Sequence, residues 1–78
     1  MKREEALIWV QERIEKDLGI PKDDIQEEKL LMQDFGMSSV DIMRIVSLME
    51  EETHIPVSVK AIRSFIRVRN MVDYLESM

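Results

Sequence analysis

Leu7, Val10, Ile14 and Leu18 follow one another at intervals of three, four and four residues, which is one face of a helix. That spacing predicts an amphipathic helix over 3–18. Glu4 and Glu5 stand in its first turn, where acids favour the helix dipole. Gly19 is placed to end it, and Pro21 opposes its continuation. Trp9 borders the stripe and is expected to pack against a loop. A second apolar run, Ile42, Met43, Ile45, Val46 and Met49, covers most of a helical wheel over 39–53. Asp41, Arg44, Ser47 and Glu51 share the remaining arc of about 120°. This helix is therefore expected to be buried on most sides and open along one strip. Val40 and Leu48 are aliphatic residues on or beside that strip. Further on, His-Ile-Pro-Val-Ser at 54–58 predicts a turn, because Pro56 keeps Ile55 extended. A short helix over 59–65 follows, with Ser58 as a cap and with Ile62, Phe65 and Val59 facing inward. A last helix over 68–77 buries Val68, Met71, Val72 and Leu75.

Residues 19–38 form a long connection between the first two helices. They hold Ile20, Ile25, Leu30, Leu31 and Phe35, more apolar residues than a free linker carries. An ordered loop laid over the bundle is expected, with a helical turn near 27–32 and loop structure at 34–37. No stretch alternates as a strand does, and there is no repeat. The expected architecture is all-α: one domain over 1–78, a four-helix bundle with a short third helix and a long ordered loop.

The chain has 78 residues, no cysteine and a formal net charge of −5. Disulfides, thiolate metal sites and thiol nucleophiles are thereby excluded. No apolar run has the length of a signal peptide or membrane span, so a cytoplasmic protein is expected. The charge is uneven: residues 1–53 carry 7 basic and 14 acidic side chains, whereas 54–78 carry Lys60, Arg63, Arg67 and Arg69 against Asp73 and Glu76. An acidic chain gains little from counterion release, which disfavours nucleic acid as a partner. Its acidic part would attract a basic protein, or serve only for solubility.

Candidate chemistry is sparse. The one histidine, His54, lies 15 positions after Ser39, about 22 Å along a continuous helix, too far to act as its base. His54 is expected at a helix end. The acidic clusters lack an apolar setting for acid–base work and lack the ligand spacing of a calcium loop. There is no Cys/His set for zinc and no glycine-rich phosphate loop. Ser38-Ser39-Val40-Asp41 has the form of a capping box, with Ser38 as N-cap and Asp41 as its N3 partner. Ser39 is then the first helical residue, free of the cap, and a phosphate ester on it would face unpaired N–H groups at the positive helix end. A serine pair before a helix is also an ordinary cap with no further role.

The whole pattern resembles the acyl carrier proteins. That family reads D-L-G-A-D-S-L-D at its attachment site and T-V-x-x-A-V-D-Y-I near its end. Here Asp34, Gly36, Ser39, Asp41, the acidic run Glu50–Glu52, Val68, Val72, Asp73 and Tyr74 fall in place. The resemblance implies 4′-phosphopantetheine on Ser39, transferred from coenzyme A by a phosphopantetheinyl transferase. It implies a carrier, not an enzyme, which presents acyl groups as thioesters to acyl-transfer and acyl-synthesis enzymes in fatty acid, lipid or polyketide-type biosynthesis. Val40, Asp41, Arg44, Leu48 and Glu51 are then candidate partner contacts. Ile42, Val46, Ile62 and Leu75 are candidate walls of an acyl-chain cavity, although an ordinary solid core accounts for them equally. A monomer without nucleic-acid or membrane partners is expected. An unmodified helical adaptor of the same fold is the alternative.

There are departures from the family pattern. Ser38 stands where the family has aspartate, Val40 is smaller than the usual leucine, and Thr53 replaces a phenylalanine. Ile66-Arg67 replaces a Thr-Thr pair that caps the last helix. Arg44 and the basic group Lys60 to Arg69 interrupt a usually acidic surface. These departures point to a specialised carrier with partners unlike those of general fatty acid synthesis.

Overall fold

In the computed structural model, which describes all of residues 1–78, the chain forms five α-helices and no strand. They are α1 (Arg3–Leu18), α2 (Leu31–Phe35), α3 (Ser39–Thr53), α4 (Val59–Arg63) and α5 (Val68–Glu76), with a turn of 3-10 helix at Lys22–Asp24. The all-α class and the bounds of α1 and α3 agree with the sequence pattern. The connection between them differs from it. Its helix runs from Leu31 to Phe35 rather than across 27–32, so Asp34 and Phe35 are helical and not loop. The Asp34 side chain decides this, since its Oδ2 accepts the N–H of Leu30 at 2.7 Å and so closes the start of α2.

Gly36 ends α2 in the left-handed region, φ 68°, where a side chain would be strained. The N–H of Gly36 reaches the Met32 carbonyl, and that of Met37 reaches the Leu31 carbonyl at 3.2 Å. Met37 is buried behind this turn. The chain is thereby turned sharply into α3.

Sixteen apolar residues make the core, and no polar residue is buried with them. The broadest helix contact is between α1 and α5. There Ala6, Val10 and Ile14 are buried along with Val68, Met71, Val72 and Leu75. Trp9 is half-buried at the edge of the core and lies under the Arg13 guanidinium, 5.3 Å from the ring centroid. Arg3 ties the same seam at the surface through Asp73, Glu76 and Glu27. The long connection is ordered because its backbone is paired. The N–H groups of Val68 and Arg69 reach the carbonyls of Lys29 and Glu27, and the N–H of Leu31 reaches that of Ile66. One isolated antiparallel bridge, Leu30 to Arg67, belongs to this set.

Two inward-facing expectations are corrected. Met43 is 45% exposed and Val59 is 63% exposed. Helix α4 spans only five residues, Val59–Arg63, and a helix of little more than one turn cannot cover the flank of α3. The missing threonine cap of α5 is replaced from within the helix, where Asn70 Oδ1 accepts the N–H groups of Arg67 at 2.6 Å and Ile66 at 3.2 Å.

His54 ends α3 at φ 59° and is the one non-glycine residue at positive φ. Its N–H caps the Glu50 carbonyl, so the conformation serves the helix end while the side chain bears the strain. His54→Gly is expected to raise stability by about 0.5–1 kcal/mol, read by chemical denaturation.

Candidate functional site

The site is built around the first turn of α3. Ser38 is the N-cap, with extended backbone at φ −88° and ψ 170°. Its Oγ accepts the N–H of Asp41 at 3.2 Å, and Asp41 Oδ2 accepts the Ser38 N–H at 2.8 Å. The Ser38 hydroxyl also donates to that carboxylate at 3.0 Å. This reciprocal pair is the capping box expected from the sequence. It leaves Ser39 as the first helical residue, exposed and outside the cap. The N–H groups of Ser39 and Val40 have no acceptor within the helix and point out of its positive end.

The carboxyl of Asp41 is held below the usual carboxylate range. The Ser38 N–H is the largest cause, followed by the Ser38 hydroxyl, with the positive charge of Arg44 adding to both. A depressed carboxyl stabilises the fold fully above its unfolded value, about 3.9, and that contribution is lost as pH falls through the lower folded value. Wild type and Asp41→Ala are therefore expected to differ in Tm at neutral pH. The gap should narrow below pH ~4.

Beside Ser39 lies an apolar hollow of about 200 Å³. Its walls are Met32 of α2, Ile42 and Met43 of α3, Ile62 and Arg63 of α4, and Phe65 and Ile66 of the segment that follows. Of the four residues read from the sequence as cavity walls, the structure brings Ile42 and Ile62 to this hollow. Val46 and Leu75 lie in the solid core instead. Met32, Phe65 and Ile66 carry no local signal that would place them beside Ser39, since it is the turns before α3 and after α4 that bring them there. Arg63 was visible only as one of a basic group.

The candidate contact residues fall on one outward strip. Val40 is 65% exposed, Arg44 and Glu51 are exposed, and Leu48 and Asp41 are half-buried. Both Asp41 oxygens are engaged, one in the cap and one 3.4 Å from Arg44. Arg44 also lies 3.9 Å from Asp17, which loosely joins α3 to the end of α1.

Ser39 is thus an exposed serine outside its own cap, at the start of a helix and against an apolar hollow. The sequence model of the family described as "Phosphopantetheine attachment site" matches residues 9–75. The chain belongs to the acyl carrier protein family. It is similar to an acyl carrier protein of Saccharopolyspora erythraea, 38% identical over 52 residues, which are 67% of this chain and 55% of that protein. The chain thus spans little more than half the length of that relative. An acyl carrier protein of Phytoplasma mali is 30% identical over 67 residues, 86% of this chain and 80% of its own. Among solved structures, the acyl carrier protein from Enterococcus faecalis superposes with a TM-score of 0.82 at 27% identity, covering 99% of this chain and 98% of that one. Proteins of this family carry a covalently attached 4′-phosphopantetheine and work as carriers, not as enzymes. No helix of this chain is long and apolar enough to cross a membrane.

Proposed function

We propose that this chain tethers acyl intermediates on 4′-phosphopantetheine attached to Ser39, for fatty acid, lipid or polyketide-type biosynthesis in the cytoplasm. The exposed Ser39 hydroxyl at the first helical position, outside the Ser38–Asp41 cap, is the observation that supports this reading. The residues suit the group, since Ser39 offers an accessible oxygen and the adjoining N–H groups face the site of a phosphate. In the loading step the Ser39 hydroxyl loses its proton as Oγ bonds to the distal phosphorus of coenzyme A. The pyrophosphate bond breaks and adenosine 3′,5′-bisphosphate leaves. Once attached, the arm supplies a terminal thiol that holds an acyl group as a thioester. The chain's own residues bind and orient.

A phosphopantetheinyl transferase and acyl-handling enzymes are the partners. Val40, Asp41, Arg44, Leu48 and Glu51 are the surface offered to them. Arg44 and the basic side chains of α4 make this surface less acidic than the family's, which favours dedicated enzymes over those of general fatty acid synthesis. The test is the intact mass of the protein after incubation with coenzyme A and a broad-specificity transferase. Gain of one phosphopantetheine is expected. No gain leaves a dedicated transferase or an unmodified adaptor, and the mass of protein isolated from its own host decides between them.

A further inference from the structure

Arg63 is the one charged residue among the walls of the hollow, most of which are apolar. It shares that hollow with Ser39, the residue on which a phosphodiester would be built. The ion pairs of the chain are formed by Arg3, Lys22 and Arg44, so Arg63 is committed to no carboxylate. Its neighbours along the chain offer none, because residues 53–72 contain four basic side chains and not one acidic. Arg44, the other nearby cation, is turned to Asp41 and Asp17.

An anion joined to Ser39 Oγ has its phosphorus fixed one bond from a wall of the hollow, while its free oxygens face outward. A guanidinium on the same hollow can meet two of those oxygens at once, which an ammonium cannot do. The hollow is small, about 200 Å³, and Arg63 and Ser39 both border it. Ser38 adds no charge of its own beside the site, and the nearby Asp41 carboxylate is already engaged by the Ser38 cap and by Arg44.

Resting on attachment at Ser39, we propose that Arg63 is a positioning residue for the arm: its guanidinium pairs with the phosphodiester and lays the start of the arm along the mouth of the hollow. The arm is thereby biased toward α4 rather than swinging freely about Ser39. Anything carried on it starts from beside the apolar walls.

The experiment is phosphorus-31 NMR on the loaded protein, with loading checked by intact mass. Wild type, Arg63→Gln, Arg63→Lys and Lys60→Gln are compared across a sodium chloride series. Arg63 is exposed, so its variants keep the core intact, and circular dichroism verifies that they do. Arg63→Gln is expected to shift the phosphodiester resonance and to abolish its salt dependence. Arg63→Lys should retain part of both, and Lys60→Gln should match wild type. Superimposable spectra of loaded wild type and Arg63→Gln overturn the pairing alone. Equal shifts in Lys60→Gln and Arg63→Gln also overturn it, since a diffuse positive field would then suffice. Absence of phosphopantetheine both after incubation and on protein isolated from its own host overturns attachment, and the pairing with it.

Discussion

Ser39→Ala is expected to abolish phosphopantetheine loading completely while leaving Tm within about 4 °C of wild type. The two effects separate because the two serines divide the work. Ser38 and Asp41 cap α3 through three hydrogen bonds to which Ser39 does not contribute. Alanine at the first helical position is a good helix former, and Ser39 is exposed, so no cavity opens. Ser38→Ala should show the reverse pattern. It keeps the acceptor hydroxyl on Ser39 and still gains mass, but it loses the cap at a cost of about 1 kcal/mol. Intact mass and thermal denaturation of both variants make the check. Loading that persists in Ser39→Ala would place the attachment elsewhere.

Leu75→Ala is expected to cost about 2–5 kcal/mol, since it removes a fully buried side chain from the seam of α1 and α5. Small domains hold about 5–15 kcal/mol in total and sit toward the lower end of that range. At about 4–8 °C per kcal/mol, Tm should fall by ~10 °C or more. Ile62→Ala removes a half-buried side chain at the hollow, where the neighbours already border open space, and should cost clearly less. The comparison, made by chemical denaturation, separates core from hollow. A loss below ~1 kcal/mol for Leu75→Ala would mean that Leu75 lines empty space rather than a packed core.

That contrast marks how far the sequence could be read. The residues that start and stop the long helices announce themselves. Gly19 with Pro21 closes α1, and Ser38 with Asp41 opens α3, each through a local hydrogen-bonding or backbone preference. The family was legible too, because part of its signature, Asp34 to Asp41, runs into the turn that opens α3, and the rest keeps its spacing through α3 and α5. Helix α2 was not legible in place, since its five residues are too few for a period and its start is closed by the side chain of Asp34, a helix residue reaching back. Periodicity also assigned Met43 and Val59 to the interior, although it says only which residues share a face, not whether a neighbouring helix is long enough to cover it. For the same reason Ile42, Val46, Ile62 and Leu75 looked alike in the sequence. Only the packing separates Ile42 and Ile62, at the hollow beside Ser39, from Val46 and Leu75, deep in the core.

The stitching of residues 27–31 onto the start of α5 runs through main-chain atoms: Val68 to Lys29, Arg69 to Glu27, and Leu31 to Ile66. Such ties read the spacing of the chain and are indifferent to most side chains. Glu28 and Lys29 could be exchanged for other polar residues with little effect on the loop's path. Adding or removing a single residue there would put all three ties out of step and carry α2, and with it the entry to Ser39, out of place. This segment is therefore free in spelling but strict in length.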